Sequence, residues 1–171
     1  MTAPLPPLRI PFSELWSMRI EHPYSLLVRE GGFAWTCGQC PLSAEGAVLA
    51  PGDLGTQGDH VDRTIRHLLA AAGLVPESVG KLVVYHEAGD PAATERTLSR
   101  FGEAYPGAIL LPVATPFFYY EGMRIEVDVH AAEHRAPPVA REGPDFRLRA
   151  VDAGALLWAS VEVRAAVGLD A

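Results

Sequence analysis

Apolar and polar residues alternate along this chain with two different periods, which predict strands and helices in one domain. Two short apolar runs, Tyr24 to Arg29 and Gly32 to Gly38, flank a Gly-rich turn, a pattern typical of a β-hairpin. A helical period follows the Gly- and Pro-rich segment 41–56, and Gly73 marks its end. The apolar positions of this first helix are Val61, Ile65, Leu68, Leu69 and Ala72.

The second half of the pattern contains one more helix and three more strands. Lys81 to His86 is a compact β-rich run, after which Asp90-Pro91 supplies a helix N-cap and a proline at the first helical position. The stripe of this second helix is Thr94, Leu98, Phe101 and Tyr105, closed by Pro106. Ala108 to Ala114 and Gly122 to Ala131 then predict two strands, so the predicted order is β-β-α-β-α-β-β.

The last of these strands has a strict period of two, which indicates one buried and one polar face. The expected core positions are Met123, Ile125, Val127 and Val129, and the opposite positions are Arg124, Glu126, Asp128 and His130. A polar row inside a sheet is explained most simply if it lines solvent or a cleft, and a cleft between subunits satisfies this.

Proline, glycine and hydrophobic content divide the chain into three parts. Residues 1–19 predict an extended N-terminal arm, 20–132 the folded domain, and 133–171 a linker followed by a β-rich extension from Phe146 to Val163. The extension shares a short sequence pattern with the first hairpin. A degenerate repeat and an independent hairpin or added edge strand both explain that pattern.

Composition and charge narrow the classes of function. Apolar residues make up 49% and charged residues 20% of the 171 positions, which is typical of a folded globular chain. The net charge of −7 argues against non-specific binding to nucleic acid. Since no window approaches a membrane span and the first residues lack a signal-peptide pattern, we expect a cytoplasmic protein without a membrane partner. Lys81 is the only lysine, so lysine chemistry has one candidate.

Several short motifs, in order, resemble the Rid (YjgF) family of reactive-intermediate deaminases, also labelled L-PSP endoribonucleases. The resemblance covers about residues 20–132 and rests on Pro23-Tyr24-Ser25, Cys37-Gly38-Gln39-Cys40-Pro41, Ala71-Ala72-Gly73 and the strand from Gly122 to Asp128. It implies an α+β, chorismate-mutase-like fold, with two helices on one face of a mixed sheet. It also implies a homotrimer with a ligand cleft at each subunit interface.

The resemblance assigns roles to two positions, and one of them departs from the family. Glu126 matches the glutamate that orients the water for imine hydrolysis. The family's carboxylate-binding arginine falls on Leu111, and no basic residue occurs between Gly102 and Met123. Because an aliphatic side chain cannot replace a guanidinium fork, we expect a less charged ligand than a 2-imino acid. If the alternation of that strand continues, Val113, Phe117 and Tyr119 make the same wall apolar and aromatic.

Each remaining candidate has a functional and a structural interpretation. Glu126 is either a general acid/base in a partly dry cleft or a carboxylate bound to backbone amides of another subunit. Arg124 either replaces the missing guanidinium or pairs with Glu126 or Asp128 across strands. Arg147 and Arg149 are further possible sources of a guanidinium, or solvated surface residues.

The other candidate ligand contacts come from the family motifs. Cys37 is either a nucleophile or a small buried side chain, and the backbone of Gly38 lies beside it in sequence. Tyr24 is either a hydrogen-bonding cleft residue or part of the core, and Thr94 falls where the family often has a cleft asparagine. Cys37 and Cys40 form a C-x-x-C, but this pair ends a strand and is followed by Pro41, unlike the redox motif at a helix N-terminus. No histidine has a Cys or a second His at metal-ligand spacing, so we expect neither a metal nor another cofactor.

The sequence therefore supports a leading hypothesis and two alternatives. The leading hypothesis is a Rid-like homotrimer that binds a small, rather apolar metabolite and hydrolyses an imine or enamine with water activated by Glu126. A non-catalytic ligand-binding or regulatory trimer is the alternative that the missing arginine favours. An endoribonuclease is supported only by the family label, and the acidic balance and the lack of a paired His or Lys constellation argue against it.

Overall fold

The computed structural model of the protein describes residues 5–17 and 25–163. Within these residues, nine strands, two α-helices and two 3-10 turns follow one another. The strands are β1 (Leu8–Ile10), β2 (Leu27–Glu30), β3 (Phe33–Thr36), β4 (Val79–Glu87), β5 (Ile109–Thr115), β6 (Ile125–Ala132), β7 (Val139–Glu142), β8 (Phe146–Asp152) and β9 (Leu157–Val163). The helices are α1 (Leu54–Ala71) and α2 (Pro91–Ala104), and the 3-10 turns are Phe12–Glu14 and Pro76–Ser78.

The first six strands form one mixed sheet, in the order β1-β2-β3-β6-β4-β5. Strands β4 and β5 are parallel, because α2 carries the chain back across the sheet between them, and the other neighbours are antiparallel. The predicted sequence of elements from the first hairpin to β6 is confirmed, and so is the mixed α+β fold with two helices on one face.

Helix boundaries follow the signals in the sequence. The Asp53 side chain accepts the backbone N–H of Thr56 at 3.0 Å and begins α1, and Asp90 accepts that of Ala93 at 2.9 Å and begins α2. The chain leaves α1 through Gly73, whose φ of 69° favours glycine. The predicted N-cap at Asp90 and the predicted stop at Gly73 are confirmed, whereas Asp53 lies inside the Gly- and Pro-rich segment 41–56 and was not predicted as a cap.

The core lies between the helices and one face of the sheet. Leu82 and Val84 of β4 and Ile125 and Val127 of β6 are at most 1% exposed. Because successive strand residues point to opposite faces, Glu126 and Asp128 lie on the face that the helices leave open.

The predicted N-terminal arm contains a strand that the sequence pattern did not indicate. Leu8–Ile10 pairs with β2 at the edge of the sheet, and Ile10 is buried. Pro7 and Pro11 flank these three residues, so the sequence pattern does not indicate a strand here. The strand tolerates both prolines because it is short and lies at the edge of the sheet.

The β-rich extension forms a second sheet, with the order β7-β8-β9. Its β8–β9 pairing confirms the strands expected between Phe146 and Val163. Strand β7 falls inside the segment interpreted as a linker, since its four exposed residues follow Pro137-Pro138 and have no apolar period. The extension contacts the main sheet through β5, and Arg135 donates to the carbonyl groups of Glu77 and Pro106 at 2.7 Å each.

Candidate functional site

The open face of the main sheet brings most of the predicted site residues together. Strand register places Glu126 beside Tyr85, and Asp128 beside Val83, on adjacent strands. On the next strand, Val113 pairs with Tyr85 and Leu111 with Val83. We call this surface the Glu126 floor. It consists of Cys37, Gly38, Val83, Tyr85, Leu111, Val113, Glu126 and Asp128.

Glu126 lies directly over the backbone of Gly38. A Cβ atom added to Gly38 would lie 2.7 Å from Cγ of Glu126 and closer still to the carboxyl group. The absence of a side chain at Gly38 therefore makes room for this carboxylate. Burial, followed by the charge of Asp128, raises the pKa of Glu126, and a hydrogen bond with Cys40 opposes the shift. A half-buried carboxylate with a raised pKa is suited to accept a proton near neutral pH.

The two cysteines are protonated thiols under this carboxylate. Their Sγ atoms each lie 3.8 Å from the carbonyl oxygen of Gly38. Burial, with smaller contributions from Asp128 and Glu126, raises the pKa of Cys37 to about 12, and burial raises that of Cys40 as well. Because the thiolate is the nucleophile, these environments favour the buried interpretation of Cys37 over the nucleophilic one.

Asp128 is a second carboxylate on the floor, and it has its own partners. The Tyr85 hydroxyl donates to Asp128 Oδ2 at 3.3 Å. Burial raises the pKa of Asp128, while the Tyr85 hydrogen bond and the charge of Lys81 oppose that shift. Lys81 pairs in register with His130, one row beyond Asp128. Burial, followed by the charge of Lys81, lowers the pKa of His130, which favours the neutral form of its ring.

Arg124 does not pair with either floor carboxylate. Its guanidinium Nη1 lies 2.5 Å from Oε2 of Glu87, which stands opposite Arg124 where β4 ends. The expected pairing with Glu126 or Asp128 is wrong, because a directly opposite residue is closer than one displaced along the strand. The guanidinium of Arg124 is therefore held at Glu87 through Nη1, and its Nε is buried without a hydrogen-bond partner among the described residues.

The apolar wall is shorter than the alternation predicted. Leu111 and Val113 face the floor from β5, and Leu111 is 37% exposed. Phe117 and Tyr119 do not continue this face, because the strand ends at Thr115, before Pro116, and both rings lie in the following loop.

Tyr24 and Thr94 are the two remaining predicted ligand contacts. Tyr24 lies outside the described residues. Thr94 lies on α2, where it lines a small gap with Val84 and Ile125 on the helix side of the sheet. Within one chain, Thr94 and Glu126 therefore stand on opposite faces.

The arginines of the extension have other partners. Arg147 faces Glu142 and Glu162, at 3.4 and 3.7 Å, and Arg149 donates to the carbonyl group of Ala108 at 3.5 Å. Among residues 5–17 and 25–163, no group of three or more His, Cys, Asp or Glu side chains has a geometry that could hold a metal ion. Likewise, no helix in this part of the chain is long and apolar enough to cross a membrane.

Crevices also occur on the helix side of the described residues. One, of about 340 Å³, lies between α1 and α2 and is lined by Asp62, Thr97 and Phe101. We place the candidate site on the floor nevertheless, because two half-buried carboxylates whose pKa values are raised by burial, Glu126 and Asp128, lie on the same face of β6 there. Asp128 and Tyr85 were not among the predicted site residues. Strand alternation indicated the face of Asp128, but only the register shows that Tyr85 reaches it.

Comparisons with known proteins agree with this fold. The sequence model of the endoribonuclease L-PSP family matches residues 17–133. A RutC family protein of Pyrococcus abyssi is 31% identical over 94 residues, which cover 54% of this chain and 74% of that protein. The YjgF gene product of E. coli has a TM-score of 0.62 and 21% identity, covering 74% of this chain and 99% of that one. For E. coli TdcF the values are 0.61 and 19%, with the same coverage. This chain therefore belongs to the endoribonuclease L-PSP family, the Rid or YjgF family that its motifs indicate.

Proposed function

We propose that this protein binds a small, largely apolar metabolite on the Glu126 floor and hydrolyses an imine there. The observation that carries the proposal is the half-buried Glu126 carboxylate, which lies over Gly38 beside a second carboxylate. One relative supports a small-molecule ligand, since the E. coli TdcF structure has bound serine.

Glu126 supplies the proton transfers of the reaction. Glu126 accepts a proton from water while the water oxygen forms a bond to the imine carbon, and the C=N π electrons move to nitrogen. Glu126 returns that proton to the nitrogen, which gives a neutral carbinolamine. As the C–N bond breaks, Glu126 takes the hydroxyl proton and passes it to the departing nitrogen. Ammonia and a carbonyl compound leave, and the carboxylate is restored. The raised pKa of Glu126 brings its basicity closer to that required near neutral pH.

The ligand is expected to lack a carboxylate group. Leu111 and Val113 occupy the β5 side of the floor, about 10 Å from β6 across two strand spacings. No basic residue occurs between Gly102 and Met123, and Arg124 is engaged by Glu87. This side of the floor consequently favours apolar groups, whereas a carboxylate there would have no bidentate partner.

The proposal includes a homotrimer whose interfaces complete the site. Trp35, Phe117 and Tyr119 are exposed by 42, 75 and 84%, an apolar exposure that favours self-association. Thr94 can contribute to a Glu126 floor only from a neighbouring copy, because it lies on the other face of its own sheet. Light scattering of the full chain tests this point, and the expected mass is three times 18.4 kDa.

A hydrolysis assay tests the activity. Freshly generated imines of apolar aldehydes and ketones, and 2-imino acids of matched size, are supplied to the wild type, and ammonia release is measured. We expect faster turnover of the imines without a carboxylate. Glu126→Gln should lower kcat by about 10² to 10⁴. Glu121→Gln, the same change at an exposed loop position, serves as the control and should keep the wild-type rate.

A second candidate function is non-catalytic ligand binding, which the missing guanidinium favours. It predicts that wild type and Glu126→Gln release ammonia at the uncatalysed rate from every imine. A Leu111→Arg variant refines the test, because gain of 2-imino acid hydrolysis would support this position as the carboxylate-binding site. RNA cleavage is the weakest alternative, because it would require a chain of net charge −7 to bind a polyanion that repels it. RNase activity that copurifies with the protein and depends on Glu126 would support it.

A further inference from the structure

The C-terminal sheet stands at one end of the Glu126 floor. It lies beyond residue 133, where the family match ends, and about a quarter of this chain lies outside the match to the YjgF structure. Its contacts are specific. Arg149 donates to the carbonyl group of Ala108, and Val151, the register partner of Trp158, is fully buried.

Trp158 of β9 reaches β4 of the main sheet at Gly80. A Cβ atom on Gly80 would lie 3.3 Å from Cδ2 of Trp158 and closer still to the outer ring atoms. The indole therefore fills the space that a side chain at position 80 would occupy. Its ring centre also lies 6.4 Å from that of His130. The indole of Trp158 thus packs closely against the backbone of Gly80, and this contact holds the indole in one position.

The register of β6 relates this indole to Glu126. Glu126, Asp128 and His130 point to the same face in three successive rows, so His130 lies about 13 Å along the strand from Glu126 at about 3.3 Å per residue. The row between them holds Asp128 on β6, and beside it Val83 and Leu111 offer apolar area on the two neighbouring strands. A ligand held at Glu126 and extended along this area meets the indole at the far row.

We propose that Trp158 is a specificity-determining residue, which forms the end wall of the Glu126 floor and limits the length of the apolar part of the ligand. This inference rests on the proposed function, because it takes the Glu126 floor as the ligand site. An aromatic wall suits the end of an alkyl or aryl group, since it adds apolar area and has no charge to desolvate. Without the extension this end of the floor would be open.

Straight-chain primary amines from ethylamine to decylamine are the probes. Their ammonium group can bind the Glu126 carboxylate while the chain lies on the floor. We expect affinity, measured by calorimetry on the full chain, to rise by roughly fourfold per added methylene group until the chain reaches Trp158, and then to level off. In Trp158→Ala the rise should continue to longer chains. Trp158→Phe keeps an aromatic ring over Gly80 and should shift the limit by less.

Leu157→Ala is the matched control, because Leu157 is the neighbouring residue on β9 and is 66% exposed. It should level off at the wild-type length. A length limit that is the same in wild type, Trp158→Ala and Trp158→Phe would contradict the role of Trp158 as the end wall. It would leave the proposed binding at Glu126 unaffected. Absence of amine binding, or binding that is unchanged in Glu126→Gln, would overturn the ligand site itself and the wall with it. The imine assay decides separately whether the protein is catalytic.

Discussion

The two faces of the main sheet are built from alternating residues of the same strands but have opposite properties. On β6, Ile125 is fully buried beneath the helices, whereas the next residue, Glu126, lies half-buried on the open face. The helix face is completed within one chain by apolar packing. The open face leaves two carboxylates with raised pKa values next to one another. One strand thus contributes to stability with one set of residues and to the candidate chemistry with the other.

The raised carboxyl pKa values make the floor a candidate for function rather than a surface that only contributes to stability. A raised carboxyl pKa means that the folded chain disfavours the charged form of that group. A purely structural surface would be more stable with neutral residues at these positions. The helix face includes buried Gln57 as well, but its amide donates to the carbonyl groups of Ala50 and Gly122 and so is satisfied.

The largest expected difference between the faces is in stability. Leu82→Ala, on the helix face of β4, should lower the free energy of unfolding by about 3 kcal/mol, because it leaves a cavity in a closed core. Leu111→Ala makes the same change on the open face, where the side chain is 37% exposed, and should lower it by less than about 1 kcal/mol. Urea unfolding of both variants measures the difference. A loss in Leu111→Ala as large as in Leu82→Ala would show that Leu111 packs in the assembled protein as tightly as a core residue, and would contradict the expected difference between the faces.

A smaller effect is expected from Gly38→Ala, which tests the position of Glu126. The added Cβ atom would overlap the Glu126 side chain, and this flexible side chain must then move away. We expect imine hydrolysis to fall as far as in Glu126→Gln, with a stability loss of at most about 2 kcal/mol. Gly55→Ala is the control, because its Cβ atom would meet Oδ1 of Asp53 at an ordinary 3.5 Å. Full activity in Gly38→Ala would show that the carboxylate does not need to lie over this backbone.

The sequence predicted the helix face more completely than the open face. Apolar periodicity is a property of each element by itself, and it identified α1 with its stop at Gly73 and the buried positions of β6. The same alternation placed Glu126 and Asp128 together on the polar face. These predictions required no knowledge of which strands are neighbours.

Contacts between elements were less predictable, because they depend on register. Arg124 pairs with Glu87 since β4 continues to that residue, and Tyr85 reaches Asp128 across the β4–β6 pair. A single sequence contains no pattern that identifies either of these pairs. The strand at Leu8–Ile10 was missed for a related reason. Three residues between prolines form a strand only because they pair with β2 at the edge of the main sheet.

The smallest effect concerns pH and shows the cost of the open face directly. Burial and then the charge of Asp128 raise the pKa of Glu126, so the folded chain binds this proton more tightly than the unfolded chain does. The stability from that proton is fully present below the ordinary carboxyl pKa and is lost as the pH rises through the raised value.

Glu126→Gln should therefore increase the free energy of unfolding at pH 7 by about 1 kcal/mol, which is a typical gain in stability when a functional residue is replaced by one that suits the fold better. At about pH 4, where the glutamate is largely protonated in both states, the gain should disappear. Urea midpoints of wild type, Glu126→Gln and the exposed control Glu121→Gln across this range measure the effect. A gain that is equal at both pH values would assign it to packing, and a loss at pH 7 would show that Glu126 is stabilised in its charged form.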